Sequence, residues 1–339
     1  MAARRERTQS DRSAQPVRGC TSGGLGRLGG ADGEGGVVGV GGEGGPAAVE
    51  ARDLHKSFPT PGGEPIEILH GISCAMMPGR MTALVGPSGS GKSTALLCLA
   101  GLEPATSGRV SLMGRDLGGL PAARVAELYR DRVGFVFQAY NLVPYLTVRE
   151  NITISDTLAG RRPDSIRVRE VLAGLGLESR ADAVATTLSG GEQQRVALGR
   201  VLYRRPPVVF ADEPTGALDT RSAAFVLAEL RRLADDGAAV ILVTHDLGAA
   251  ALAESVLIMR DGRIVDHVAR DVGQLEGQPQ IAGAVQRGLV PHPHHPHHHR
   301  RRGSGVRAPD RSGLRSSRRG RPRGPRRHRS PRRRRRRRP

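Results

Sequence analysis

The sequence is poor in the residues that build aromatic cores, disulfide frameworks and cysteine metal sites. Its 339 residues include no Trp, four Tyr, five Phe and three Cys. Cys20, Cys74 and Cys98 form no C-x-x-C pair, which argues against disulfides and against a cysteine zinc site. The composition therefore predicts an intracellular protein with free thiols.

Long apolar runs are also missing. A membrane-spanning helix needs roughly 18–20 apolar residues, whereas runs such as Thr94–Leu102 reach about half that length. The chain begins Met-Ala-Ala-Arg-Arg-Glu-Arg and has no apolar segment of the kind found in secretory signals. We therefore expect a soluble chain, for which any work at a membrane requires another polypeptide.

Net charge is absent from residues 1–290, and the whole excess of basic residues is concentrated at the C-terminal end. The net charge is +19, and residues 291–339 alone contain 20 Arg and one Asp, so the rest balances to zero. This Arg-rich tail could bind nucleic acid or anionic lipid through salt-sensitive contacts, and the six His within residues 292–299 could hold metal loosely. An extension without function fits the composition equally well.

Composition divides the chain into three parts. Residues 1–47 contain 14 Gly and offer too little apolar surface to fold, so this segment is predicted to be disordered. Residues 48–288 alternate short apolar runs with longer mixed segments and are predicted to form one domain. Residues 289–339 are rich in His, Pro and Arg and are predicted to be disordered.

The middle part reads as strands separated by helices, which predicts an α/β fold with a mainly parallel sheet. The predicted strands are Met81–Val85, Val133–Phe137, Pro207–Ala211 and Ala239–Val243. The predicted helices are Lys92–Ala100 and Ser222–Ala234.

A glycine-rich segment connects the predicted strand Met81–Val85 to the predicted helix Lys92–Ala100, and it fits the pattern G-x-x-x-x-G-K-[ST]. Its backbone N–H groups and the N-terminus of the following helix favour phosphate oxygens. Lys92 is expected to reach the β- and γ-phosphates, and the Ser93 hydroxyl is expected to hold Mg²⁺. The candidate nucleotide ligands are Gly86, Pro87, Ser88, Gly89, Ser90, Gly91, Lys92, Ser93 and Thr94.

Two acidic residues follow a second apolar strand. A carboxylate at the end of a buried strand is costly unless a cation or hydrogen bonds compensate it. Asp212 is therefore predicted to hold Mg²⁺ directly or through water. Glu213 points another way and is predicted to act as general base for an attacking water.

The segment Leu188-Ser-Gly-Gly-Glu-Gln-Gln-Arg195 resembles the signature of ATP-binding cassette (ABC) ATPases. Other motifs also occur in family order. The segments Asp212-Glu-Pro-Thr-Gly-Ala-Leu-Asp219 and Phe137-Gln-Ala-Tyr-Asn-Leu-Val-Pro144 look most like the lipoprotein-release and macrolide-export branch. The resemblance implies that Gln138 contacts Mg²⁺ and the membrane partner, that Asp219 belongs to the D-loop, that His245 is the switch histidine, and that Phe58 stacks on adenine.

The signature can also be interpreted from its residue types alone, without the family resemblance. Ser189, Gly190 and Gly191 open what should be a helix, so they offer backbone donors to an anion. Because the domain already has a phosphate loop, this second anion site implies a partner's nucleotide. The resemblance implies the same: two subunits pair head to tail and enclose two ATP.

The resemblance further implies a P-loop NTPase core with an antiparallel β part and a helical subdomain at about residues 142–200. The expected cofactors are ATP and Mg²⁺. The expected partners are a second copy and a transmembrane permease, at the cytoplasmic face of the cell membrane. Gly199 departs from the family's usual Ala, and a Gly inside a helix costs about 1 kcal/mol relative to Ala.

Other functions stay open at this point. A soluble ABC ATPase could act on nucleic acid or the ribosome with the Arg-rich tail as anchor, although the sequence shows no coiled-coil insert, zinc cysteines or second cassette. A non-catalytic nucleotide-binding module would lack Glu213 or His245. A GTPase is disfavoured because no Asn-Lys-x-Asp motif occurs.

Overall fold

The computed structural model describes residues 38–39, 45–269 and 282–284. The chain divides into the units Met1–Pro291 and His292–Pro339, and every described residue belongs to the first. The Arg-rich tail, nearly all of segment 1–47 and Cys20 lie outside the described residues. The disorder predicted for both ends, and the domain bounds 48–288 and about 142–200, stay predictions.

Eleven strands form within the described residues. In chain order they are β1 Val38–Gly39, β2 Val49–Phe58, β3 Ile66–Met76, β4 Met81–Val85, β5 Ser107–Leu112, β6 Arg115–Asp116, β7 Val133–Phe137, β8 Val208–Asp212, β9 Ala239–Val243, β10 Ser255–Arg260 and β11 Arg263–Ala269.

Seven α-helices and three short 3₁₀ helices accompany the strands in this part of the chain. The α-helices are α1 Lys92–Ala100, α2 Ala122–Arg132, α3 Val148–Leu158, α4 Ser165–Gly174, α5 Gly190–Arg204, α6 Thr220–Asp235 and α7 Leu247–Ala250. The 3₁₀ helices are Leu117–Gly119, Glu178–Arg180 and Ala185–Thr187.

The larger sheet has the strand order β11-β10-β4-β9-β8-β7. All its pairs are parallel except β10 with β11. Every residue of β4 and β9 is buried, because continuous apolar strands are covered on both faces. The predicted α/β class with a mainly parallel sheet is confirmed, and the carboxyl ends of β4, β7, β8 and β9 share one edge.

The smaller sheet supplies the antiparallel part. Its order is β1-β3-β2-β5-β6, and its pairs are antiparallel except β1 with β3. The inward side chains of β2 and β3 form one core cluster with α1 and the nearer face of the larger sheet. A second cluster joins the other face of the larger sheet to α3, α4, α5 and α6. The smaller sheet, α1 and α2 therefore lie on one face, and α3 to α7 lie on the other.

Gly199 lies in the middle of α5, where an Ala would be the better helix former. A Cβ at this position would lie 2.9 Å from Leu175 Cδ1 and 3.1 Å from Ile152 Cγ1. Such distances are shorter than ordinary van der Waals contact, so the missing side chain allows α3 and the end of α4 to approach α5. Close packing of helices explains the departure from the family pattern.

Membrane-spanning segments and thiols can be assessed in the described residues. No helix there is long and apolar enough to cross a membrane.

Cys74 and Cys98 are free and buried, as predicted. Burial raises the pKa of Cys74 to about 12 and that of Cys98 to about 11, so both thiols stay protonated and unreactive at neutral pH.

Candidate active site

The candidate phosphate loop connects β4 to α1 at the carboxyl edge of the larger sheet. Gly91 is the N-cap of α1 and has a φ of 92°, a left-handed conformation that favours glycine. At Gly86 a Cβ would overlap the carbonyl oxygen of Met259 on β10. The glycines are thus required by backbone geometry, and Pro87, Ser88 and Gly89 are exposed at the mouth of the loop.

Lys92 folds back over this loop. Its Nζ donates to the carbonyl oxygens of Gly86 at 3.0 Å and Pro87 at 2.9 Å. Burial lowers the pKa of Lys92, although the charges of Glu213 and Asp212 oppose that shift. A buried ammonium whose hydrogen bonds, among the described residues, go to neutral carbonyl oxygens attracts an anion, so the arrangement fits a polyphosphate.

Ser90 supports the same fit. It is 3% exposed, and its Oγ has no hydrogen-bond partner among the described residues. A buried hydroxyl without a partner is uncommon and indicates a missing ion, water or ligand. Since a phosphate oxygen accepts hydrogen bonds, the Ser90 hydroxyl fits a nucleotide in the loop.

The structure brings the two predicted magnesium ligands together. Ser93 Oγ donates to Asp212 Oδ1 at 3.1 Å, although 119 residues separate them. Burial raises the pKa of Asp212, while the Ser93 hydrogen bond lowers it. A hydroxyl and a carboxylate in contact are oxygen donors of the kind Mg²⁺ prefers, so this pair fits the predicted ion.

Glu213 and His245 also meet at this edge. His245 Nδ1 lies 2.9 Å from Glu213 Oε2. Glu213 has a φ of 46°, which is rare for a non-glycine residue and is associated with functional strain. Asp212 pairs with Val243 in the sheet register, and this pairing places Glu213 and His245 after neighbouring strand ends.

Gln138 reaches the same edge from β7. It follows Phe137, whose register partner is Asp212. Its Nε2 lies 3.1 Å from where a Cβ on Gly216 would be, so it contacts the loop that follows Glu213. No hydrogen bond joins Gln138 to Ser93 or Asp212 within the described residues, and its predicted contact with Mg²⁺ stays a prediction.

Phe58 ends β2 on the smaller sheet and is 37% exposed. Lys56 Nζ lies 4.6 Å from the centre of its ring. One face of the ring is therefore occupied by a cation. An exposed aromatic ring at the end of this strand is suited to stacking on a base, and the predicted stacking of Phe58 on adenine stays a prediction.

The signature residues form a separate site. Ser189 is the N-cap of α5, and a capping box joins it to Glu192. Gly190 and Gly191 are the first two helical residues, so their N–H groups are free of helical partners. Within the described part of the chain, no hydrogen bond or ion pair connects Ser189, Gly190 or Gly191 with residues 86–94.

Asp219 lies beside the signature. It caps α6, and its Oδ2 accepts from Ser222 Oγ at 2.6 Å. Hydrogen bonds from Ser222 lower the pKa of Asp219. Ser222 Oγ in turn lies 3.4 Å from the position of a Cβ on Gly191. The D-loop and the signature of one chain thus share one surface.

Sequence reasoning missed several residues that support these motifs. Tyr140 Oη lies 2.9 Å from the position of a Cβ on Gly190, so the segment after Gln138 touches the signature directly. Ser222 and Lys56 were also missed. The spacing Asp219-x-x-Ser222 is typical of helix capping and could have indicated Ser222, whereas Tyr140 carries no local signal.

Known proteins match this chain over the described core. A family model described as ABC transporter matches residues 69–216. The macrolide export ATP-binding/permease protein MacB of Shigella flexneri is 46% identical over 219 residues, which are 64% of this chain and 34% of that protein. MacB of Escherichia coli strain K12 is 45% identical over the same shares. The chain therefore spans about a third of the length of these curated relatives.

Solved structures match as well. The ATP-binding cassette MJ0796, in a dimeric post-hydrolysis state bound to ADP and Pi, is 33% identical with a TM-score of 0.62. A second dimeric structure of MJ0796, titled a bacterial ABC transporter cassette, gives 33% and 0.61. Each match covers 66% of this chain and 99% of the other.

Proposed function

This chain belongs to the ABC transporter family of ATPases, and on that premise we propose that it binds and hydrolyses ATP to energise a membrane permease. Two copies pair head to tail around two ATP molecules. The observation that carries the proposal is the convergence of Lys92, Ser93, Asp212, Glu213 and His245 at one sheet edge, while the signature lies apart.

Binding rests on the phosphate loop. Lys92 exchanges the carbonyl oxygens of Gly86 and Pro87 for phosphate oxygens, and the orphaned Ser90 hydroxyl gains an acceptor. Phe58 stacks on the base. Ser93 and Asp212 hold Mg²⁺, which supplies neutralisation of the phosphate charge when it is bound.

Hydrolysis rests on Glu213 and His245. Glu213 accepts a proton from the attacking water as general base. His245 Nδ1, at 2.9 Å from Glu213 Oε2, orients that carboxylate toward the attacking water. Gln138 senses the site from β7 through the loop that contains Gly216.

The separation of the signature from the loop supports the dimer. Gly190 and Gly191 offer N–H groups without a partner among the described residues at a helix N-terminus, and such groups favour an anion. Among the described residues no hydrogen bond or ion pair joins this helix N-terminus to the phosphate loop of the same chain, so its nucleotide is the one held by a second copy. The MJ0796 structures, which are 33% identical to this chain, are dimeric.

The permease is proposed from the relatives' names and from one surface. The MacB relatives are named as ATP-binding/permease proteins. A cavity of about 240 Å³ is lined by Phe137, Tyr140 and Asn141 on one side and by Arg200 and Arg204 on the other. It lies next to Gln138, so a permease segment docked there would sense the nucleotide site. The proposed location is the cytoplasmic face of the membrane.

The decisive experiment is Glu213→Gln. The variant keeps the shape of the side chain but lacks the base, so turnover should fall about 10²–10⁴-fold while ATP affinity is retained. At saturating Mg-ATP the variant should accumulate as a dimer in light scattering after gel filtration. Glu127→Gln, on the exposed face of α2, is the matched control and should behave as wild type.

Two results would contradict the proposal. Wild-type phosphate release by Glu213→Gln would remove Glu213 from the mechanism. A wild-type chain that neither hydrolyses ATP nor dimerises with it would remove the ATPase function itself.

A further inference from the structure

The loop that carries Glu213 is anchored at three backbone positions. Glu213 N donates to Val243 O at 2.9 Å, and Gly216 N donates to Glu213 O at 3.1 Å. Pro214 has no N–H, so its carbonyl oxygen is its one backbone hydrogen-bonding group. That oxygen accepts from Gln194 Nε2 at 2.7 Å. The third anchor thus comes from another element, α5.

Gln194 is wholly committed to this contact. Its residue is 0% exposed, and its Oε1 has no hydrogen-bond partner among the described residues. A buried amide that satisfies its donor and leaves its acceptor unpaired is unfavourable. The hydrogen bond to Pro214 O is therefore the one that Gln194 makes through its side chain among the described residues.

The position of Gln194 on α5 links two sites. Ser189, at the N-cap of the same helix, lies five residues earlier, which is about 7.5 Å along the axis at 1.5 Å per residue. A helix transmits movement along its axis as a rigid element. The hydrogen bond to Pro214 therefore connects the anion site at Ser189 with the loop of Glu213.

We propose that Gln194 is a positioning residue for Glu213, and that through α5 it makes the alignment of Glu213 depend on the anion bound at Ser189. This inference rests on the proposed function, because that anion is the nucleotide held by the second copy. Each copy then hydrolyses its own ATP efficiently only while its signature holds the ATP of the other.

The first test is Gln194→Met in the full chain. Met matches the volume of Gln but cannot donate to Pro214 O. The expected kcat falls about tenfold, which corresponds to about 1.4 kcal/mol in the barrier, while KM for Mg-ATP and ATP-dependent dimer formation stay within twofold. An unchanged kcat would overturn the proposal.

The second test uses pH to separate positioning from packing. In Gln194→Glu the new carboxyl group faces Pro214 O and donates to it only when it is protonated. The ratio of its kcat to that of Gln194→Met should therefore rise as the pH is lowered from about 8.5 to 6.5, because burial raises the pKa of a carboxyl group. A ratio that is flat with pH would contradict the hydrogen-bonding role.

Tyr203→Phe is the matched control. It also removes a hydrogen-bonding group from α5, since Tyr203 Oη donates to Asp156 Oδ2 at 2.6 Å, but it lies nine residues beyond Gln194 on that helix, about 13.5 Å along the axis. We expect the control to lose stability without losing kcat. If it loses kcat as Gln194→Met does, the effect belongs to helix packing and the inference fails.

A double-mutant cycle tests the link to the signature. If Ser189 and Gln194 act through one helix, the kcat losses of Ser189→Ala and Gln194→Met should be non-additive by more than about twofold. Additive losses would overturn the link. In all of these assays wild-type turnover is the reference: its absence refutes the proposed function, whereas normal turnover in the Gln194 variants refutes only this inference.

Discussion

Asn151 on α3 holds the segment that leads from Gln138 into the helices. The residue is 0% exposed. Its Oδ1 accepts from Val143 N at 2.9 Å and from Arg200 Nη2 at 2.7 Å. Its Nδ2 donates at 3.1 Å to the carbonyl oxygens of Val143, Leu146 and Thr147. Asn151→Leu removes all five hydrogen bonds and keeps the number of side-chain heavy atoms and the branch at Cγ.

The expected cost depends on which partners have a replacement. The three carbonyl oxygens each keep another donor, from Leu146 N, Ala185 N and Asn151 N, so their loss is small. Val143 N–H is left unsatisfied, which costs about 1–3 kcal/mol. Arg200 loses a hydrogen bond from a charged group, which is worth about 1.5–3 kcal/mol. The expected loss of stability is therefore about 2.5–6 kcal/mol.

Equilibrium unfolding of the full chain in urea measures this loss. Arg149→Ala is the control on the same helix, since its contact with Asp182 is exposed, and it should cost less than about 1 kcal/mol. A loss below about 1 kcal/mol for Asn151→Leu would refute the reasoning. It would mean that Val143 N–H and Arg200 find other partners once the amide is gone.

Further predictions concern stacking on the nucleotide base, the packing of α5, the pH dependence of stability and the terminal segments of the chain. Phe58→Ala should weaken ATP and GTP binding alike by about 1–3 kcal/mol, if stacking on the base follows the nucleic-acid scale. Nucleotide affinities equal to those of the wild type in calorimetry would show that another residue stacks on the base. Gly199→Ala should fail to gain the ~1 kcal/mol that helix propensity predicts, as measured by thermal unfolding. Hydrogen bonding to Glu67 raises the pKa of His55. The stability that protonated His55 contributes is therefore complete below the unfolded pKa of about 6.5 and is lost as the pH rises through the higher folded pKa. In His55→Gln the melting temperature should depend less on pH between about pH 6 and 8 than it does in the wild type. Residues 46–290 alone should keep Mg-ATP turnover, whereas any salt-sensitive binding of polyanions by the full chain should disappear; loss of turnover in a soluble truncated chain would assign the tail to the ATPase.

Strands and helices with a strong local pattern were predictable from the sequence. Met81–Val85, Val133–Phe137 and Ala239–Val243 have the predicted bounds, because continuous apolar runs between turn residues leave little choice of register. The strand predicted from Pro207 begins at Val208, since proline has no N–H to donate to the ladder.

Helix ends and contacts between distant parts of the chain were harder to predict from the sequence. The helix predicted from Ser222 begins at Thr220, because the Asp219 side chain accepts from the first turn, a capping interaction that apolar spacing does not show. Gln194 and Pro214 are 20 residues apart in the chain, and no local pattern joins them. The roles assigned to the site residues stay predictions, but Ser93 with Asp212, and Glu213 with His245, do lie in contact.

The proposed pairing of the phosphate loop of one copy with the signature of another has a kinetic consequence. On that proposal, a complete site forms only when two copies meet. Turnover of the free chain should therefore rise with protein concentration and level off only when most copies are paired. A membrane component that tethers two copies replaces that encounter with an effective concentration, typically millimolar for short connections. Such tethering would make the ATPase rate independent of how many copies the cell contains.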